Sequence, residues 1–160
     1  MGVYHNYVQI LVDTLQKQTG VLKEILELTK EQRMIAEGSC FDEVALEDTL
    51  NKKEILIARL NELDDGFASV YSRVHREVNE HKKLYKEELH QLQSLIKECT
   101  DLGIEIKVLE ERNRDKLSKC FAGKQKEYGA QRTAAEVASR YHQTMYNRQT
   151  VDSHLFSKKK

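Results

Sequence analysis

The stretch GSCFDEVALEDTLNKKEILIARLNEL, residues 38–63, shows one helix ending and a second long helix beginning. Gly38 is predicted to end the first helix, because glycine adopts left-handed backbone at a helix C-terminus without steric cost. Asp42 is a suitable N-cap for the next helix. Phe41 and Leu46 occupy the two positions of a hydrophobic staple, which fixes the direction in which the chain enters a helix. The stretch therefore predicts two helices joined by a short turn.

Apolar residues recur three and four positions apart on both sides of this turn, which is the spacing of one helix face. Together with a polar break near residues 79–83, the pattern predicts helices at about residues 3–37, 42–80 and 84–121. The main apolar rows contain Tyr4, Val8, Leu11, Leu15, Leu22 and Ile25, then Leu46, Leu50, Ile57, Leu60, Phe67, Tyr71, Val74 and Val78, then Leu84, Leu89, Leu92, Ile96, Cys99 and Ile106.

Two features of the second helix need separate interpretation. Gly66 costs a helix only about 1 kcal/mol relative to alanine. The heptad phase also continues from Leu60 to Phe67, so we expect the helix to run through it. Lys53 and Asp64 fall on the apolar row, and we expect them near its edge or its ends.

The near-equal lengths and short turns predict an all-α fold, an antiparallel three-helix bundle of long, coiled-coil-like helices. The absence of proline and a charged content of 32% agree with long amphipathic helices. We expect the bundle to span residues 1–122. Residues 123–160 hold eight basic and three acidic residues and form a polar tail, which we expect to be mobile or docked as a short helix. The acidic second helix, with ten acidic and five basic residues in 42–80, is a candidate dock.

Composition and motifs argue against several classes of function. The formal net charge is zero, which argues against a nucleic-acid partner. No signal peptide and no membrane-length apolar run is visible, and the three widely spaced cysteines suit reduced thiols, so we expect a cytoplasmic protein. The sequence shows no phosphate loop, catalytic constellation, CxxC pair or zinc-type histidine spacing. We therefore expect neither an enzyme nor a metal or cofactor site, and a protein that acts by binding another protein.

One stretch offers a candidate binding surface. In LGIEIKVL, residues 102–109, helical geometry directs Leu102, Ile106 and Leu109 towards the core and Ile104 and Val108 to the opposite side. One explanation is that the bundle itself, a dimer partner or the tail covers Ile104 and Val108. The other is a docking site for an amphipathic helix of a client protein.

Several segments together resemble the FlgN family of flagellar export chaperones. These are residues 38–63, EERNRDKL at 110–117, whose Asn113 is similar to an asparagine of that family's third helix, and SRYHQTMYNRQTV at 139–151. The resemblance implies a cytoplasmic chaperone that binds the C-terminal amphipathic helices of hook-associated proteins such as FlgK and FlgL. It would deliver these clients to the flagellar export apparatus. The candidate client-binding residues are Leu102, Ile104, Val108, Tyr141 and Met145.

Three alternatives stay open at this point. A chaperone of the FliT type would bind the filament cap protein in the same manner. A structural coiled-coil adaptor would pair the same apolar rows between the two subunits of a homodimer. A helical enzyme or nucleotide-binding regulator is a further class, but zero net charge and the missing phosphate motifs count against it.

Overall fold

The computed structural model describes the backbone of residues 2–128 and the side chains as far as Gly123. Three helices make up this part of the chain, α1 (Gly2–Glu37), α2 (Glu43–Glu80) and α3 (Lys86–Tyr128). The predicted all-α bundle is confirmed. Helix α3 begins after turns at residues 81–85 rather than near residue 84, and it continues past Phe121, where the sequence analysis ended it.

Helix α1 is the central element of the bundle. It runs antiparallel to α2 and parallel to α3, and it packs closely against both. Within the described residues, no Cα atom of α2 lies within 8 Å of a Cα atom of α3. Helices α2 and α3 therefore meet through their longer side chains rather than through close backbone approach.

The turn between α1 and α2 has the predicted cap. The Asp42 carboxylate accepts a hydrogen bond from the Ala45 backbone N–H at 3.0 Å, and Phe41 packs against the core cluster that contains Leu46. Phe41 also contacts Phe121 of α3 edge-to-face, with ring centroids 5.4 Å apart. Helix α1 ends before Gly38 as predicted, but this glycine does not adopt left-handed backbone. The end of α1 therefore does not depend on the conformational freedom that we expected glycine to supply.

Helix α2 continues without interruption through Gly66, as the heptad phase predicts. The prediction for Lys53 and Asp64 is wrong, because both side chains are buried, with exposed fractions of 1% and 5%. Lys53 tolerates this position because Glu110 of α3 supplies a carboxylate 2.8 Å from its ammonium. A single sequence could not reveal this partner, which lies more than fifty positions away.

The core divides into three apolar blocks along the bundle. The first block joins the start of α1, the end of α2 and the start of α3, and the second fills the middle. The third lies beside the α1–α2 turn. Their main members are Val8, Leu11, Leu15, Val74 and Tyr85, then Leu22, Ile25, Ile57, Leu60 and Ile106, then Leu46, Leu50, Leu117 and Phe121.

Buried polar side chains separate these blocks. The Gln32 layer, between the second and third blocks, consists of Thr29, Gln32, Thr49, Lys53, Glu110 and Asn113. The Gln18 layer, between the first and second blocks, consists of the buried polar Gln18 and Thr19 of α1 with Cys99 of the central block beside them, and the buried Asp64 of α2 falls between the same two blocks. Each layer takes residues from more than one helix, so the bundle is not a continuous apolar column.

Candidate functional site

Ile104 and Val108 form an exposed aliphatic ridge on α3, which we call the α3 ridge. They lie one helical turn apart, and their exposed fractions are 56% and 42%. Both point away from the core, because on the same helix Ile106 and Leu109 are buried in the central apolar block. Within the described residues, neither the bundle nor its turns cover this ridge. Ile104 and Val108 are therefore aliphatic surface that the described part of the chain leaves exposed.

Leu102 differs from the other two candidates on this helix. Its side chain is half-buried and packs against the central apolar block. This agrees with the predicted orientation of Leu102 towards the core. A partner helix seated on the α3 ridge would reach at most the edge of this side chain. Tyr141 and Met145 lie outside the described residues.

Charged side chains surround the α3 ridge. One turn before it, the Lys97 ammonium and the Asp101 carboxylate form an exposed ion pair at 3.1 Å. The next exposed neighbours along the helix are Glu105, Lys107 and Glu111. An apolar centre with a solvated charged border is the common arrangement of a protein–protein contact. Two aliphatic side chains make a small apolar centre.

A second surface was missed by the sequence analysis. A groove of about 540 Å³ lies between α1 and α2, with an apolar floor and a charged border. Leu28 and Leu56 form its floor, and Ile55, 71% exposed, stands at its edge. The available signal was the run Ile55-Leu56-Ile57, whose first residue falls outside the heptad rows.

Ion pairs connect the outer edges of α1 and α3. Lys23 of α1 lies 3.3 Å from Glu98 of α3, and Lys116 of α3 bonds Glu37 of α1. The hydrogen bond from Lys116 lowers the pKa of the Glu37 carboxyl. Both pairs are partly exposed, so each contributes little to the free energy of unfolding. The two ion pairs nevertheless show which residues of α1 and α3 face each other.

The C-terminal end of α2 carries a cluster of possible metal ligands. Glu77, Glu80 and His81 place their ligand atoms within 4.8 Å of one another. The His81 backbone N–H also bonds the Glu77 carbonyl oxygen as part of the helix cap. Two of the three side chains are exposed, whereas structural metal sites orient their ligands with a second shell of hydrogen bonds. We therefore interpret these three side chains as part of the C-terminal end of α2 rather than as a metal site.

The described part of the chain thus belongs to the class of long helical bundle proteins, with an exposed aliphatic ridge on α3. A family model for FlgN proteins matches residues 1–143, and the chain belongs to the FlgN family. This is a family of flagellar export chaperones and not of enzymes. No curated protein and no solved structure matches the chain. None of the described helices is long and apolar enough to cross a membrane.

Proposed function

We propose that the protein is a cytoplasmic export chaperone for hook-associated proteins of the FlgK and FlgL kind. It binds the amphipathic C-terminal helix of a client before secretion and hands the client to the flagellar export apparatus. Membership of the FlgN family supports the chaperone role. The exposure of Ile104 and Val108 on a helix whose other face is buried supports a helix-binding surface.

Binding by the α3 ridge follows from ordinary burial of apolar surface. A client helix that covers Ile104 and Val108 with its own apolar face removes both side chains from water. Since each side chain is already about half covered, its burial contributes about 1 kcal/mol to the free energy of binding. The pair therefore contributes about 2 kcal/mol, roughly a thirtyfold effect on affinity, because 1.4 kcal/mol corresponds to a factor of ten. A contribution of this size leaves room for release at the export apparatus.

The site is tested by a double substitution on the ridge. Ile104→Asp together with Val108→Asp puts two carboxylates where the client places apolar side chains. We expect the Kd for a C-terminal FlgK or FlgL peptide to rise at least about tenfold, measured by fluorescence titration of the full chain. Helicity should be unchanged, because both side chains point away from the core.

Ile55→Asp is the matched control, since it introduces the same charge at an exposed isoleucine outside the ridge. It should leave the affinity as it is. If Ile55→Asp weakens binding and the ridge variant does not, the client occupies the groove between α1 and α2, and the ridge assignment is wrong.

The identity of the client needs its own comparison. The unmodified chain is titrated with C-terminal peptides of FlgK, FlgL and the filament cap protein under one set of conditions. Tighter binding of FlgK or FlgL supports the proposal, whereas tighter binding of the cap peptide supports a FliT-type chaperone. A stable dimer at nanomolar concentration in sedimentation, with no binding of any peptide, would instead indicate a structural coiled-coil adaptor.

A further inference from the structure

The buried polar residues of α3 take positions in heptad rows that are otherwise apolar or small. Seven residues before Asn113 the row holds Ile106, and seven residues before Glu110 it holds Gly103. Both polar side chains are almost fully buried. Among the residues of α3 whose side chains are described, these rows are Leu92, Cys99, Ile106, Asn113 and Cys120, and Leu89, Ile96, Gly103, Glu110 and Leu117.

Heptad rows decide which face of a helix is buried, but they do not decide its axial position. A shift of α3 by seven residues along α1 would bring an apolar residue to most positions where an apolar residue now lies. The turn at residues 81–85 restricts this shift of about 10 Å without preventing it, because the facing ends of α2 and α3 can each gain or lose a turn. A helix of this kind needs another feature to fix its position.

The Gln32 layer supplies that feature through bonds between helices. The Lys53 ammonium donates to the Glu110 carboxylate at 2.8 Å, and the Asn113 amide donates to the Thr29 carbonyl oxygen at 2.9 Å. After a seven-residue shift of α3, either Gly103 or Leu117 would replace Glu110 opposite Lys53. Neither offers a carboxylate, and a buried ammonium without one is strongly unfavourable.

We propose that the Gln32 layer fixes the axial register of α3 against the hairpin of α1 and α2. Both buried polar residues that the structure describes in α3, Glu110 and Asn113, belong to this layer. The Gln18 layer receives only Cys99 from α3. Its thiol lies 3.3 Å from the Thr19 hydroxyl, but a thiol is a weak hydrogen-bond partner and in a core behaves largely as a small apolar residue. The register of α3 is therefore specified mainly at one level of the bundle. This inference does not depend on the client.

The two ion pairs between α1 and α3 allow the register of α3 to be measured in the native chain by cross-linking. A zero-length carbodiimide joins an amine to a carboxylate in salt-bridge contact. In the observed register it links Lys23 to Glu98 and Glu37 to Lys116, whose side chains pair. A shift that brings residue 105 to the place of residue 98 would link Lys23 to Glu105 instead. Mass spectrometry of the monomer band identifies each link.

The test is a variant in which the layer is made apolar without leaving a buried charge. It carries Gln32→Leu, Thr49→Val, Lys53→Leu, Glu110→Leu and Asn113→Leu. We expect a helical protein in which both native links fall about threefold, since native and two shifted registers become similar in free energy. The Lys23–Glu105 link should appear. Unchanged native links, or loss of the helical circular dichroism signal, would overturn the proposal.

Two further variants serve as controls. Gln18→Leu makes the other layer more apolar and should keep both native links at the level of the unmodified chain. The reversed pair, Lys53→Glu with Glu110→Lys, keeps opposite charges at the same level of the bundle and should also keep the native links. Loss of the native links in a folded Gln18→Leu variant would show that the register is fixed elsewhere.

Discussion

The Gln32 layer and the Gln18 layer each place a glutamine of α1 in the same heptad row of the core. The Gln32 carbonyl oxygen accepts from the Lys53 ammonium at 3.1 Å, and its amide donates to the Thr49 hydroxyl at 3.1 Å. Neither polar atom of Gln18 has a hydrogen-bond partner among the described residues. Both side chains are fully buried. Whether a buried glutamine stabilises the bundle therefore depends on what the other two helices place opposite it.

The largest effect is expected from breaking the ion pair of the Gln32 layer. Glu110→Leu leaves the Lys53 ammonium buried without its carboxylate, and removal of one partner of a buried pair costs about 3–5 kcal/mol. The free energy of unfolding should fall by that amount in urea denaturation. Glu111→Leu is the matched control, because its side chain is exposed, and it should change stability little. Equal effects of the two substitutions would show that the pair adds nothing to the fold.

The two glutamines should respond in opposite directions to the same substitution. Gln32→Leu removes an acceptor from Lys53 and a donor from Thr49, so it should lower the free energy of unfolding by about 1–3 kcal/mol. Gln18→Leu removes two buried polar atoms that lack partners and keeps a similar volume. It should raise the free energy of unfolding by about 1 kcal/mol. If both variants are destabilised, the Gln18 side chain has a stabilising partner in the folded chain.

The sequence predicted the helices and their order well, because heptad spacing and the Asp42 cap are local signals. It also predicted which face of α3 would be buried and that Ile104 and Val108 would lie opposite it. It failed at Lys53, whose burial depends on a carboxylate from another helix, and at Asp64, which is also buried. A periodic pattern describes one helix at a time, whereas the Gln32 layer and the groove beside Ile55 arise only when helices pack. The binding role of the α3 ridge stays a prediction.

The smallest effect is expected where the two layers are alike. Thr19 and Thr29 each donate their hydroxyl to the carbonyl oxygen four residues earlier in α1, at 2.9 and 2.7 Å. That carbonyl lies in the helix interior and has its own backbone donor, so Thr19→Val and Thr29→Val should each change stability by at most about 1 kcal/mol. The Asn113 amide binds the backbone of Thr29, which valine retains. A much larger loss for Thr29→Val in urea denaturation would place its hydroxyl among the bonds that join the helices, as the Thr19 hydroxyl already is through the Cys99 thiol 3.3 Å away.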